Sequence, residues 1–277
     1  MRKYKVIIAY DGTSYSGWQY QENAVGIQQV VEEVLESLEG TPVRIFGSSR
    51  TDAGVHAKGF VGHFHLSKPI PPKNLVRAMN ARLPDAIRIL RASYAKEDFD
   101  ARLSAKAKEY RYQLYQADIM PPHLAPYWTF CHRPLDIAAM RTAARYFVGR
   151  HDFVSFAANP NRELESTVRN IFSFDIKKSG HRYVFIVRGD GFLYKQVRSM
   201  VGFLISVGKG NEKPEAVREL LEAKAPRTAR VETAPGRGLF LWRVFYEDMR
   251  FGSTCTMVST TPIPAERTAS QTACPIA

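Results

Sequence analysis

The sequence lacks the features that mark membrane, secreted and nucleotide-dependent proteins. It has no run of about 18 apolar residues to span a bilayer, and it begins with MRKYKVIIAYDG rather than a signal peptide. Only three cysteines occur, Cys131, Cys255 and Cys274, and without a CxxC pair they indicate neither a disulfide framework nor a zinc knuckle. Walker, GxGxxG and GxSxG motifs are absent, so ATP, NAD and serine hydrolysis have no support. We expect a soluble cytoplasmic protein.

Acidic residues are in the minority. The chain of 277 residues carries 39 Lys and Arg against 27 Asp and Glu, a formal net charge of +12. A surface this basic attracts polyanions, and nucleic acid is the first candidate, with an anionic membrane or a chance excess as alternatives.

Hydrophobic periodicity predicts the order β-α-β-β-α-β for the first part of the chain. Apolar residues at helical spacing from Ile27 to Leu38 indicate an amphipathic helix that ends at Gly40. In chain order the segments are a strand at 4–10, that helix, strands at 43–46 and 60–66, a helix between Pro72 and Pro84, and a strand at 87–91.

From Glu109 a similar order begins again. The segments are the strand EYRYQLY, a helix at 135–147, the hairpin NIFSFDIKKSGHRYVFIVRGDG, a long helix at 192–207, a short one at 214–221 and a strand at 239–246. Interspersed helices and hairpins predict an α+β fold of two subdomains, each a mainly antiparallel sheet with helices on one face. We place the domains at 1–104 and 105–250, and we expect the Ser-, Thr-, Pro- and Ala-rich segment 251–277 to be disordered.

The loop GSSRTDAGVHAKG holds the first candidate site residue, Asp52. Arg50 precedes it by two residues and Gly54 follows it by two, an arrangement that suits a carboxylate on a tight loop beside a cation. Because Asp-x-Gly is common in turns, these residues alone favour a surface ion pair.

The long helix carries a face of small and polar residues around Arg198. Such a face is either solvated or lets another backbone or a ligand come close. The sequence does not decide between these two alternatives. The residues that share it are Lys195, Arg198, Ser199, Gly202 and Ser206.

Aromatic and basic residues interleave in AKEYRYQLY. Tyr110, Tyr112 and Leu114 share a strand face, with Lys108 and Arg111 nearby. This composition suits RNA bases that stack while their phosphates are neutralised, although tyrosines half-buried in a sheet would look the same.

One alternative function is a metal-dependent hydrolase that uses Asp52 together with three histidines, His56, His63 and His65. No cysteine or carboxylate stands at the usual ligand spacing, and FVGHFHL alternates like a strand. We therefore expect no metal, and histidines that face RNA or solvent.

Six blocks, in this order, resemble the tRNA pseudouridine synthase A family, and the likeness runs from Tyr4 to Tyr246. Two positions depart from the family pattern without removing a catalytic group: Ser49, where a glycine usually precedes Arg-Thr-Asp, and the pair Lys195-Gln196. The blocks are YDGTSYSGWQYQ, SRTDAGVHA, KEYRY, GRHDFVSF, GDGFLYKQVRSMVG and TAPGRGLFL.

The resemblance implies a pseudouridine synthase fold, with the sheets joined around a central cleft, and a homodimer that needs no cofactor. It implies isomerisation of uridine to pseudouridine at positions 38, 39 and 40 of the tRNA anticodon stem-loop. Asp52 maps onto the nucleophile, and Arg50, Tyr110 and Arg198 onto the other catalytic residues. The alternative is a non-catalytic RNA-binding protein of RRM-like architecture. The expected RNA contacts are Tyr110, Lys108, Arg111, His56 and Lys195.

Overall fold

Helices and strands are interspersed along the chain in the computed structural model, which describes residues 1–158 and 166–247. The first part contains β1 (Arg2–Tyr10), α1 (Ile27–Glu39), β2 (Phe46–Gly47), β3 (His56–Leu66), α2 (Pro72–Asn80) and β4 (Ile87–Tyr94). The second contains β5 (Ala107–Gln116), β6 (Thr129–Cys131), α3 (Ile137–Tyr146), β7 (Gly149–Asp152), β8 (Val168–Ser179), β9 (Arg182–Gly189), α4 (Gln196–Gly208), α5 (Ala216–Ala223) and β10 (Leu239–Phe245). The β-α-β-β-α-β order is confirmed, and the expectation for 251–277 falls outside the described residues.

One mixed sheet runs through both parts of the chain. Its strand order is β4-β1-β3-β10-β5-β9-β8-β7, with β2 paired to β3 and β6 paired to β5. Most neighbours are antiparallel. The short strand β6 is parallel to β5, and β3 is parallel to β10, which forms the seam between the two sets of strands. The α+β fold with joined sheets is therefore confirmed. The domain boundary near Ser104 stays a prediction, since strands from both sides of it share this sheet.

The side chains that the sequence pattern places on one face of each element are buried. On β1, Tyr4, Val6 and Ile8 have no exposed surface, and in α1 the buried positions include Val31 and Leu35. Fully burying a side chain of this size contributes about 1.5–3 kcal/mol. The helix ends where predicted because Gly40 adopts a left-handed conformation, and its N–H donates to the Glu36 carbonyl.

The long helix begins later than the sequence predicts, at Gln196 instead of Phe192. The Gln196 side chain accepts a hydrogen bond from the Leu193 N–H at 2.8 Å, which closes a turn before the helix. Lys195 then adopts a left-handed conformation with φ of 59°, unusual for a residue with a side chain. This turn places residues 193–195 at the edge of a cleft.

Other boundaries differ for reasons of pairing. The strand β3 begins at His56 rather than Phe60 because its first residues pair with β10, and β2 is only two residues long. The short strands β6 and β7 were not predicted, since three or four residues give too little periodicity. Among the described residues, no helix is long and apolar enough to cross a membrane.

Candidate active site

A cleft of about 1000 Å³ opens where the two sets of strands meet. Its walls come from the loop that follows β2, from β5 and from the first turn of α4. Cations far outnumber acids along it, so its field favours a polyanionic ligand. Within the described residues, the cations are Arg44, Arg50, Arg102, Lys108, Arg169, Lys195 and Arg198, and the acids are Asp52 and Asp100.

Asp52 and Arg198 form an ion pair inside the cleft. The Arg198 Nη1 donates to the Asp52 Oδ2 at 2.6 Å, across 146 residues of sequence. The Arg198 side chain is only 14% exposed and that of Asp52 only 18%. A charge-assisted hydrogen bond in such a setting fixes the direction of the carboxylate more firmly than a surface ion pair does. The structure thus brings together the two residues that the sequence placed on separate elements.

A second contact fixes the Arg198 guanidinium. Its Nε donates to the Ala234 carbonyl at 2.7 Å, and the Ala234 N–H donates back to the Arg198 carbonyl at 3.1 Å. One turn further along α4, a Cβ added to Gly202 would lie 2.2 Å from the Glu232 carbonyl oxygen. The small-residue face of the helix therefore packs against the backbone of residues 232–234. Of the two alternatives that the sequence left open, a solvated face or a close approach by another backbone or a ligand, the structure shows a backbone.

The loop that carries Asp52 is packed between two distant glycine-containing segments. A Cβ on Gly12 would lie 2.1 Å from the Val55 carbonyl oxygen, and one on Gly236 would lie 2.7 Å from that of Ala53. Only glycine allows the two backbones to come this close. The blocks YDGTSYSGWQYQ and TAPGRGLFL thus form the packing surfaces of the loop that carries Asp52.

Tyr110 reaches the cleft from β5 and is 6% exposed. Its hydroxyl lies 2.9 Å from the Ser49 Oγ, and its ring meets the Phe192 ring edge to face at 5.1 Å. Burial raises the pKa of Tyr110 to about 12, the Ser49 hydrogen bond works against this rise, and the negative charge of Asp52 adds to it. The phenol is therefore neutral near pH 7 and has a proton to donate.

The basic candidates Arg50, Lys108 and Lys195 also line the cleft. Arg50 is exposed on the Asp52 loop, and Lys195 stands at the start of α4 with its Nζ 5.0 Å from the Tyr194 ring centre. Burial lowers the pKa of Lys108 to about 8, and repulsion by Arg102 and Arg169 adds to this. An anion placed here would relieve that repulsion.

Arg111 is not brought to the cleft. It lies beside Tyr110 in sequence, but successive residues of a strand point to opposite faces of the sheet. On its own face, the Arg111 Nε donates to the Glu109 Oε1 at 2.7 Å, and its guanidinium lies 3.9 Å from the Trp242 ring centre. Arg111 therefore does not share the cleft with Tyr110, and the expectation that it contacts RNA stays a prediction.

His56 is also held away from the cleft, at 1% exposure. Its Nδ1 accepts the Gly12 N–H at 3.0 Å, and burial lowers the pKa of the ring. The ring is therefore not solvated, and the expectation that His56 contacts RNA stays a prediction. His63 instead accepts the Ala101 N–H at 3.0 Å, and His65 lies beside a glutamate. Within the described part of the chain, no group of three or more His, Cys, Asp or Glu side chains could hold a metal ion.

The lining residues that were not predicted as site residues include Ser49, Arg44, Arg102 and Arg169. Ser49 belongs to the loop of Asp52, but nothing in the sequence shows that its hydroxyl meets Tyr110. The three arginines come from separate segments, and their shared position depends on how the two sets of strands join. No local sequence signal could have found them.

Comparisons with known proteins agree on one family. A family profile described as tRNA pseudouridine synthase matches residues 6–103 and 143–247. The chain is 44% identical over 251 residues to tRNA pseudouridine synthase A of Chlamydia trachomatis serovar A, covering 88% of this chain and 92% of the relative. It is also 44% identical to the proteins of that name from an Exiguobacterium species (89% and 99% covered) and Solibacter usitatus (89% and 100% covered).

Proposed function

The chain belongs to the tRNA pseudouridine synthase family, and from this premise we propose that it isomerises uridine at positions 38, 39 and 40 of the anticodon stem-loop, with Asp52 as the nucleophile. Its class, an isomerase acting on uridine in tRNA, follows from the family. The three positions are supported by the resemblance of the six blocks. The assignment of Asp52 is carried by one observation, its ion pair with Arg198 inside the cation-lined cleft.

The reaction breaks the bond between N1 of uracil and C1′ of ribose, turns the base, and joins C5 to C1′. The target uridine first has to leave its stack, which costs a few kcal/mol. Contacts between the cleft cations and the RNA phosphates offset this cost. Arg50, exposed beside Asp52, would hold the opened strand, and Lys108 and Lys195 would bind its phosphates.

The Asp52 carboxylate has one oxygen engaged and one available. Arg198 binds Oδ2, while the described residues make no hydrogen bond to Oδ1. That free oxygen either attacks C1′ directly or promotes loss of the ribose 2′ proton, and both routes release the base from the sugar. The arginine would hold the carboxylate in the same direction throughout.

Tyr110 supplies the second function, a stacking surface with a hydroxyl that moves a proton. Once C5 is joined to C1′, the C5–H bond has to break so that its electron pair restores the C5–C6 double bond. A phenol can take that proton when its own O–H proton passes at the same time to a neighbouring acceptor. The position of Tyr110 in the same cleft as Asp52 supports this role.

We also propose that the protein acts in the cytoplasm as a homodimer. Both statements rest on the resemblance to the family. Size-exclusion chromatography with light scattering tests the second, and a mass equal to the 31.3 kDa chain at micromolar concentration would contradict it.

The function is tested by tritium release from a tRNA transcript whose uridines carry tritium at C5, followed by mapping of the modified positions. We expect release from positions 38, 39 and 40. A transcript in which these uridines are replaced by cytidines is the control, and it should release none. Release from other positions would contradict the assigned site, and no release from any tRNA would contradict the function.

A further inference from the structure

Ser49 and Tyr110 make a contact that the mechanism above does not use. Their hydroxyls lie 2.9 Å apart, although they come from a loop and a strand separated by 61 residues. Among the described residues, Ser49 is the one hydrogen-bond partner of the Tyr110 hydroxyl. The phenol therefore depends on this serine for its orientation.

The other hydroxyls of the loop serve different neighbours. Ser48 has no exposed surface, and its Oγ accepts the Val61 N–H at 3.3 Å. Thr51 shares a hydrogen bond of 2.8 Å with the Tyr10 hydroxyl in the core. Ser49, in contrast, is half-buried and lines the cleft, so its hydroxyl can contact both the phenol and cleft water.

We propose that Ser49 is a positioning residue for Tyr110: it fixes the phenol and takes up the phenol proton when Tyr110 accepts a proton from C5. This inference rests on the proposed function. It gives the cleft a path by which a proton passes from the substrate to solvent.

The step balances without leaving a charge on either side chain. The C5–H bond breaks, its electron pair returns to the ring, and the proton binds the Tyr110 oxygen. The original phenol proton passes to the Ser49 Oγ, and the serine proton passes to cleft water, while N1 of the base takes up a proton from solvent. Because burial raises the pKa of Tyr110 to about 12, a path that avoids a free phenolate is favoured.

The test compares Ser49→Ala, Ser49→Thr, Tyr110→Phe and the double variant Ser49→Ala/Tyr110→Phe by single-turnover tritium release at saturating tRNA. We expect Ser49→Ala to lower the rate about tenfold with unchanged tRNA affinity, since one positioning hydrogen bond is lost. Ser49→Thr keeps the hydroxyl and should restore most of the rate. In the Tyr110→Phe background, Ser49→Ala should cause no further loss.

Ser37→Ala is the matched control, because the Ser37 hydroxyl bonds only a carbonyl of its own helix. If Ser49→Ala does not fold, Ser49→Cys, with a thiol that donates only weakly, takes its place in the comparison. Wild-type rates in a folded Ser49 variant, or losses that multiply with those of Tyr110→Phe, would overturn the inference. Failure of the wild-type protein to release tritium would instead refute the proposed function.

Discussion

Replacement of Arg198 by lysine keeps the positive charge but removes the planar fork that orients Asp52. The guanidinium makes two contacts at once, from Nη1 to the Asp52 carboxylate at 2.6 Å and from Nε to the Ala234 carbonyl at 2.7 Å. A single ammonium on a flexible stem cannot reproduce both geometries. The carboxylate then has more than one orientation when the flipped uridine arrives.

The expected magnitude follows from the contact that is lost. A hydrogen bond to a charged group contributes about 1.5–3 kcal/mol, which corresponds to roughly a 10- to 150-fold decrease in kcat. Because tRNA affinity depends on many phosphate contacts, we expect KM to change little. Single-turnover tritium release measures the first quantity, and filter binding measures the second.

Arg230→Lys is the matched control for this substitution. Arg230 binds Glu212 through two nitrogens at 2.9 and 2.7 Å, but it does not line the cleft. The control should retain full activity. A wild-type kcat in a folded Arg198→Lys variant would refute the idea that the arginine orients the nucleophile.

Three further predictions follow from the same geometry. Because burial lowers the pKa of Lys108 to about 8, its charge falls as the pH rises through that value, so tRNA affinity in a filter assay should decrease above about pH 8. The variant Lys108→Arg should remove this dependence, and an unchanged profile would contradict it. Gly12→Ala should abolish activity, because the added methyl group would collide with the Val55 carbonyl. Gly180→Ala, in an open hairpin turn, should lower the free energy of unfolding by only about 1 kcal/mol in a thermal melt. Equal activity in the two variants would contradict this prediction. A zinc chelator should leave the rate unchanged, and loss of activity that added zinc restores would contradict that.

Local patterns predicted the elements well, because each depends on neighbours in sequence. The periodicity of Val31 and Leu35 and the stop at Gly40 give α1 almost its observed bounds. The start of α4 was missed because it depends on one side chain, Gln196, closing a turn onto Leu193. The short strands were missed because their pairing partners, not their own residues, define them.

The sequence predicted several residues of the candidate site better than it predicted the contacts between them. The six blocks pointed to Asp52, Tyr110 and Arg198, and the structure places all three in one cleft. Two other expected RNA contacts do not line this cleft: Arg111 lies on the opposite face of β5, and His56 is buried. Nothing in the sequence joins Ser49 to Tyr110, because that contact exists only once the loop and β5 meet.

The central claim is that the Asp52 carboxylate performs the chemistry, and Asp52→Asn tests it most directly, because it keeps the shape of the side chain and removes its charge. We expect near-normal tRNA binding with no detectable tritium release over many single-turnover half-lives of the wild type. Asp136→Asn is the matched control, since Asp136 caps α3 with a side-chain oxygen that asparagine retains. Substantial pseudouridine formation by a folded Asp52→Asn variant would contradict the account.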